Sequence, residues 1–577
     1  MTMDYCKPLR GWRFKLFNVC LGVGHALVIF NAGAYIAMLP RVAGGLSIPL
    51  SFATWTQTQY MMGLALAFPV GSWLARRFGE YRPFVVAMLL FALASWACAV
   101  SSQFYLYLAS RILLGLVGGV SLPLGHALLI KEYPDKRKSI GIGIWSVFTL
   151  MPFTLGPPIG GWIADTLGWR WLFWLNVPLA MLIAATVAAL LYGRGGPNLR
   201  QRFDTLGFVL TSVAMFGLQA LLNQGNDWDW FNALYIIALS GFVLALFSYA
   251  AIWMSGFRQP FVDLSLFAQR NFSIGVGCLF VGFLCFQGLL SLLIVQLQVT
   301  LGYSSFLAGL VFLPMAVFAK PMAGVFHEIV KRYDARLLAS LNLLGFAVTY
   351  FWLSHFDDPG AFDQLLWPKL LEGACLGSFF VPLTALLLHG LPAERQPKAL
   401  ELANLLRIAA GAIGIALQGI VLYRRTPLHM TRLAEHFTPG EAVFDQSLQT
   451  LMEQGLNDMQ ALATFAKLAA RAEAIRGIND AFWIAGCVFL CLAGLVWCAH
   501  PTLTPVKQTA KRFSHTEANG PFNYHLQRKR SEHHPTPLPA QRQCRQLISL
   551  EAEQAKTTVA LSKALGYQNA TSQQSNP

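Results

Sequence analysis

The chain has 577 residues, of which 55% are hydrophobic and only 12% are charged, and its formal net charge is +15. Most of such a chain must lie in a bilayer. In a soluble protein the positive charge would favour nucleic-acid binding. Here the basic residues border apolar segments, where membrane topology explains them, so no nucleic-acid partner is expected.

Fourteen long apolar segments follow one another along the chain. A helix needs about 20 apolar residues to cross a hydrocarbon core of about 30 Å. The segments lack the alternation of barrel strands, so they predict helices and an all-α polytopic membrane protein. The predicted spans are 17–39, 55–75, 83–100, 105–130, 140–163, 171–192, 206–224, 231–255, 273–299, 305–327, 337–354, 365–389, 400–423 and 479–499.

The distribution of Lys and Arg predicts the orientation. Nearly all of them lie in every second joint, whereas the short joints on the other side hold only Arg41 and Arg170. Since basic joints stay in the cytoplasm, we expect both termini there. The histidines and cysteines show no metal-binding spacing, so no metal or other cofactor is expected.

The chain divides into predicted segments of different character. Residues 1–16 form a cytoplasmic N-terminus, 17–192 a six-helix bundle, 193–255 two inserted spans, and 256–500 a second six-helix bundle. Residues 424–478 form a large periplasmic loop with helical periodicity from Phe444 to Ala474. The composition of 501–577 is typical of a disordered cytoplasmic tail.

Two short sequence motifs lie within this pattern, a basic turn that recurs in the second half and a Gly-Pro string in span 5. A basic turn after span 2 contains Gly71, Arg76, Arg77, Gly79 and Arg82, and a weaker copy follows Gly324 in the second half; repeated halves are typical of secondary transporters. Span 5 contains Gly156, Pro157, Gly160 and Gly161. Proline kinks a helix and glycine lets a neighbour approach closely. A packing kink would explain one such pair, but the string is longer.

Further strings extend the pattern over residues 10–500, and the whole resembles the major facilitator superfamily, in particular its fourteen-span drug:proton antiporters and the EmrB-like multidrug export permeases among them. These strings include Arg111 with Gly115, Trp169-Arg170-Trp171, Asn176-Val177-Pro178, Gly390-Leu391-Pro392 and Asn404 with Arg407. The resemblance implies two six-helix bundles plus two inserted spans in a bacterial inner membrane. It also implies proton-driven export of amphipathic drugs or weak acids, with a periplasmic adaptor of the membrane-fusion type and a TolC-like outer-membrane channel.

The chain departs from the family pattern at two places. Asn31 stands where the family usually has an acid in span 1, and an amide cannot carry a proton. Arg76 stands where many members have Asp. A P-loop sequence is absent, so we expect no ATP site of that kind.

Charged residues inside spans are costly and usually face a cavity, so they are the site candidates. Arg111 and Glu372, at similar predicted depth, are candidates for proton coupling, although a local pair of Glu372 with Lys369 is the alternative. Substrate-cavity candidates are Asn31, His126, Lys320 and Arg407, and the two cations Lys320 and Arg407 make the inner half electropositive. His25 and His126 could titrate near neutrality, although a lone histidine on an apolar helix is more often a packed residue.

Two other functions are compatible with a polytopic chain. The same transporter could export an endogenous metabolite such as a siderophore or a fatty acid. A membrane enzyme, for instance a lipid-linked acyl- or glycosyltransferase, would need acids and histidines clustered on one membrane face. The short joints show no such cluster, so we do not expect an enzyme.

Overall fold

A computed structural model describes residues 9–134, 138–192, 202–257, 259–355, 362–436 and 442–502. The predicted tail beyond residue 502, the first half of the predicted N-terminus and most of the joint before span 7 lie outside these ranges. The predicted segment boundaries stay predictions.

The described residues contain sixteen α-helices and no β-strand, which confirms the predicted all-α class. The helices are α1 Gly11–Leu46, α2 Leu50–Phe78, α3 Tyr81–Val100, α4 Phe104–Glu132, α5 Lys138–Thr166, α6 Trp171–Leu190, α7 Thr205–Gln224, α8 Leu234–Gly256, α9 Arg270–Val299, α10 Ser305–Leu310, α11 Leu313–Ile329, α12 Ala335–Leu353, α13 Phe362–Leu388, α14 Gln396–His436, α15 Ala442–Glu453 and α16 Asp458–Leu495.

Thirteen helical segments in the described ranges are long and apolar enough to cross a membrane, with α10 and α11 together forming one of them. The predicted span that is not among these thirteen is α2, which is long enough with 29 residues but not apolar enough. Its polar side chains Thr56, Gln57, Thr58 and Gln59 are buried against other helices and lower its mean hydropathy. The total of fourteen spans and the cytoplasmic position of the termini therefore stay predictions.

Small residues bring the helices of each half close together. In the first half α1 packs on α5, α2 on α4 and α3 on α6, while in the second half α9 packs on α14, α11 on α13 and α12 on α16. A Cβ atom on Gly63 of α2 would lie only 2.9 Å from the carbonyl of Ile112 in α4. Such contacts hold helices together in lipid, where the hydrophobic effect does not.

The two halves meet where α5 packs on α10 and α11, α2 on α14, and α1 on α9 and α10. The inserted helices α7 and α8 pack on each other, and α7 also contacts α2 and α14. The inserted pair therefore flanks one of the seams between the halves.

Two helices are much longer than a bilayer requires. α14 has 41 residues and α16 has 38, and the short helix α15, which lies between them in the chain, packs on α16. α16 begins with a capping box in which Asn457 and Gln460 exchange hydrogen bonds with each other's backbone. The helical periodicity predicted from Phe444 to Ala474 corresponds to α15 and the first part of α16.

The second basic turn ends at a carboxylate that ties the start of α12 to the segment that follows α16. Asp334 caps α12 by accepting a 3.0 Å hydrogen bond from the Arg336 backbone, pairs with the Arg336 guanidinium at 3.0 Å, and accepts from the Thr502 hydroxyl at 3.0 Å. Partial burial raises the pKa of Asp334, but the hydrogen bonds from Arg336 and Thr502 outweigh it and hold that pKa below its usual value.

Candidate functional site

The glycines of span 5 let α5 lie directly against α1. A Cβ atom on Gly156 would approach the backbone nitrogen of Ala34 to 2.7 Å, and one on Gly160 would approach the Ala34 carbonyl to 2.5 Å. Real Cβ contacts are not that short, so only glycine fits at these two positions. The predicted motif therefore forms a backbone-to-backbone seam.

The same helix also contacts the second half of the molecule through α10. A Cβ atom on Gly161 would collide with the Ser305 carbonyl, and one on Gly309 would collide with the Pro157 carbonyl. The two faces of α5 thus touch α1 on one side and α10 on the other. A substitution on the α10 side would separate the halves.

Polar contacts close this seam at the end where α5 terminates, which we call the Asp165 end. Asp165 accepts a 2.8 Å hydrogen bond from the Phe306 backbone in α10 and pairs with Arg41 of α1 at 3.0 Å. One carboxylate therefore joins α1, α5 and α10.

The opposite end, which we call the Arg76 end, contains the basic turn between α2 and α3. Arg76 pairs with Glu401 of α14 at 3.4 Å, so this ion pair also crosses between the halves. A Cβ atom on Gly71 would lie 2.5 Å from the Val120 carbonyl, which explains why α2 and α4 approach closely here.

The remaining residues of the turn have separate positions. Gly79 ends α2 with a positive φ of 78°, a conformation that disfavours a side chain. The Arg77 guanidinium lies over the ring of Trp73, 5.7 Å from its centroid. Arg82 is exposed at the start of α3.

A cluster of basic and aromatic side chains lies between the two halves. The His25 ring lies 4.3 Å from the Trp145 ring, and the His126 ring lies 5.6 Å from it. The Thr149 hydroxyl and His25 Nε2 are 2.9 Å apart. His126 and Arg407 both act electrostatically on His25. Because His126 is exposed, the cluster borders accessible space.

Two further cations border this cluster from the second half. Arg407 lies over the rings of Phe283 and Phe380, with its guanidinium carbon 5.1 and 5.2 Å from their centroids. Lys320 of α11 donates a 3.3 Å hydrogen bond to the carbonyl of Gly143, two residues before Trp145. The structure thus brings His126, Arg407 and Lys320 to one region around α5, with His25 among them.

Arg111 lies away from any carboxylate among the described residues. It is 0% exposed and donates a 2.6 Å hydrogen bond to Gln57 Oε1. Its guanidinium carbon lies 3.9 Å from the Tyr35 ring centroid and 4.4 Å from that of Tyr60, so two aromatic faces contribute to the stabilisation of this charge. Its Nε and Nη1 atoms make no hydrogen bond within the described ranges.

Asn31 does not join the basic cluster. It exchanges two hydrogen bonds with Asn176 of α6, at 3.2 and 3.1 Å, and Asn176 also donates to Ser95 of α3 at 3.2 Å. The position at which the family usually has an acid therefore forms a neutral amide pair within the first half.

Glu372 pairs with a neighbour on its own helix and not with Arg111. Its Oε2 atom lies 2.5 Å from Lys369 Nζ, and the Tyr350 hydroxyl donates to its Oε1 atom at 3.1 Å. The side chains of Lys369 and Glu372 are 1% and 0% exposed. This is the local i, i+3 pair that the sequence left open as the alternative.

Several residues of the site were not predicted. Gln57, Trp145 and Tyr350 complete the surroundings of Arg111, His25 and Glu372, respectively. The position of Gln57 could have been recognised from the sequence, because it lies in a polar run inside an apolar segment. Trp145 and Tyr350 gave none, since aromatic residues are common in spans. Within the described ranges no group of three or more His, Cys, Asp or Glu residues could hold a metal ion.

Comparisons with known proteins agree on one family. The family model described as the Major Facilitator Superfamily matches residues 21–415. The multidrug export protein EmrB of Escherichia coli K12 is 32% identical over 504 residues, which cover 86% of this chain and 98% of that protein. The fatty acid resistance protein FarB of Neisseria gonorrhoeae is 32% identical over 502 residues, with the same coverage. A crystal structure of peptide transporter POT in complex with sulfate matches with a TM-score of 0.54 and 19% identity over 86% of this chain and 100% of that one, which shows a shared fold.

Proposed function

The chain belongs to the Major Facilitator Superfamily, as its motifs predicted, and we propose that it is an inner-membrane antiporter that exports amphipathic small molecules in exchange for protons. The observation that carries this proposal is the match to a multidrug export protein over 98% of that protein's length. The fold supports it, because two helical halves around a central site are the usual build of such transporters.

Exchange requires the contacts at the two ends of the molecule to open in turn. At the Asp165 end these contacts are the α5–α10 seam and the hydrogen bond from Phe306 to Asp165. At the Arg76 end the Arg76–Glu401 pair joins α2 and α14. We assign the Arg76 end to the cytoplasm, because the basic joints lie on that side of the sequence pattern.

The charge of the central cluster supports a preference among substrates. Arg407 and Lys320 border the histidine cluster, and these two cations repel a permanently cationic substrate while attracting an anion. We therefore expect amphipathic weak acids and neutral compounds to be exported better than quaternary ammonium compounds. Export of an endogenous fatty acid is the second candidate, favoured by the similarity to a fatty acid resistance protein.

The coupling proton needs a titratable group, and Asn31 in its amide pair cannot supply one. We propose that protonation of Glu372 breaks its pair with Lys369, which changes the charge of a buried site in the second half. Arg111 would contribute a fixed charge in the first half, held by Tyr35 and Tyr60.

The helical region between the last two predicted spans supports docking of a periplasmic adaptor that leads to a TolC-like channel. The first part of α16 exposes large apolar side chains, including Met459 at 77% and Leu468 at 52%. Outside a bilayer, exposed side chains of this kind are typical of a surface that binds another protein.

The function can be tested in inverted membrane vesicles with fluorescent weak-acid and quaternary ammonium substrates. Uptake of the weak acid should require an imposed proton gradient and should stop when an uncoupler is added. Lys320→Gln should weaken weak-acid uptake and leave a neutral substrate unaffected. Strong gradient-driven uptake of quaternary ammonium compounds that Lys320→Gln does not change would contradict the proposed preference.

A further inference from the structure

A groove on the outer surface of the first half separates α2 from α3. Both helices pack on α4 but scarcely on each other, so α4 forms the floor between them. The groove has a volume of about 360 Å³. Its lining includes Leu74 and Phe78 of α2, Val86 and Leu90 of α3, and Val117 and Val120 of α4.

The walls of this groove are apolar and face away from the other helices. Val86 is 54% exposed, and Phe78 and Leu90 are also exposed. In a chain that spans a membrane, such a surface contacts the acyl chains of lipids.

One end of the groove carries a positive charge. Arg82 is the only charged side chain among the described residues that line it. The nearest acid in the sequence, Glu80, pairs with Lys131 at 3.1 Å, and no carboxylate in the described ranges pairs with Arg82. Arg82 is the second residue of α3, so it lies at the end of a span, at the depth of lipid headgroups.

We propose that this groove binds an anionic phospholipid of the surrounding bilayer. One acyl chain lies between α2 and α3 on the floor formed by Val117 and Val120, and the phosphate accepts hydrogen bonds from the Arg82 guanidinium. An exposed arginine at the edge of an apolar groove matches a lipid that joins an acyl chain to a negative headgroup. This site is separate from the central cluster and does not depend on which compound is exported.

Native mass spectrometry of the purified full-length protein tests the proposal. The protein is transferred from micelles containing either phosphatidylglycerol or phosphatidylcholine, and the retained lipid is counted. We expect retention of phosphatidylglycerol in preference to phosphatidylcholine. Arg82→Gln should reduce phosphatidylglycerol retention about fivefold, which corresponds to the ~1 kcal/mol that one basic side chain contributes near an anionic surface.

Arg77→Gln is the matched control, because it removes the same charge from the same turn. The Arg77 guanidinium lies over the rings of Trp73 and Phe78 and does not itself line the groove, so this variant should retain phosphatidylglycerol as the unchanged protein does. Ala87→Leu provides a second test that leaves Arg82 in place. Ala87 lines the groove, and a larger side chain there should lower retention of both lipids.

Three results would overturn the proposal. Equal retention of both lipids, with no effect of Arg82→Gln, would mean that only ordinary annular lipid is present. An equal loss in the Arg77→Gln and Arg82→Gln variants would indicate a diffuse effect of the basic turn. Displacement of phosphatidylglycerol by a free fatty acid at equal concentration, dependent on Arg82, would assign the groove to a free amphipathic acid.

Discussion

The buried pair of Lys369 and Glu372 gives the sharpest test of the second half. Glu372→Gln removes the negative charge but leaves the Lys369 ammonium 1% exposed and 4.4 Å from the Phe312 ring centroid. Breaking a buried ion pair in this way costs about 3–5 kcal/mol. At roughly 1 °C per kcal/mol for a chain of this length, the midpoint of thermal unfolding should fall by about 3–5 °C.

The double variant Lys369→Met, Glu372→Gln separates the energetic role of the pair from its proposed role in coupling. It leaves no buried charge at these two positions, so most of the lost stability should return. Thermal unfolding in detergent, followed by tryptophan fluorescence for the two single variants and the double variant, measures this recovery.

Gradient-driven export in proteoliposomes then tests coupling with a folded protein. Because neither of the two substituted side chains titrates, the double variant should bind substrate but lose export driven by a proton gradient. Normal gradient-driven export would make the Lys369–Glu372 pair a purely structural contact. An unchanged unfolding midpoint of Glu372→Gln would refute the reasoning from burial.

Three other predictions concern the ends of the molecule. Gly161→Val should abolish export at normal expression, because its side chain collides with α10, whereas Gly277→Val, with open space around it, should export normally. Deletion of 440–470 should preserve membrane insertion but abolish co-purification with the adaptor, and unchanged co-purification would contradict the docking proposal. Asp334 has a lowered pKa in the folded protein. Its contribution to stability is therefore present above its pKa in the unfolded chain, about 3.9, and is lost as the pH falls through its pKa in the folded protein. The unfolding midpoint of Asp334→Asn should therefore lie below that of the unchanged protein at pH 7 and approach it in acid.

The sequence predicted those features that depend on residue type along one helix. The Gly-Pro string of α5 indicated a close helix contact, and the structure contains that contact at Gly156, Gly160 and Gly161. The sequence also assigned Lys320 and Arg407 a similar depth, because hydropathy fixes the height of each residue in its span, and the electropositive inner half stays a prediction.

Contacts that depend on the rotation of a helix were not predictable in the same way. Arg111 and Glu372 have similar predicted depths, yet Arg111 lies between tyrosine rings and Glu372 lies beside Lys369. Depth does not determine which neighbour a side chain faces. The amide pair of Asn31 with Asn176 was missed for the same reason, since it joins residues 145 positions apart.

The lengths of α14 and α16 have a mechanical consequence. At 1.5 Å per residue, the 41 residues of α14 extend about 60 Å, roughly twice the thickness of the hydrocarbon core. Its N-terminal part forms the seam with α2, and its far end lies in the segment proposed to bind the adaptor. A tilt of about 5° at the N-terminal end of this seam would move the far end of the helix, about 60 Å away, by roughly 5 Å. An adaptor bound at the far end of this helix, as proposed, would therefore be displaced when the seam with α2 opens.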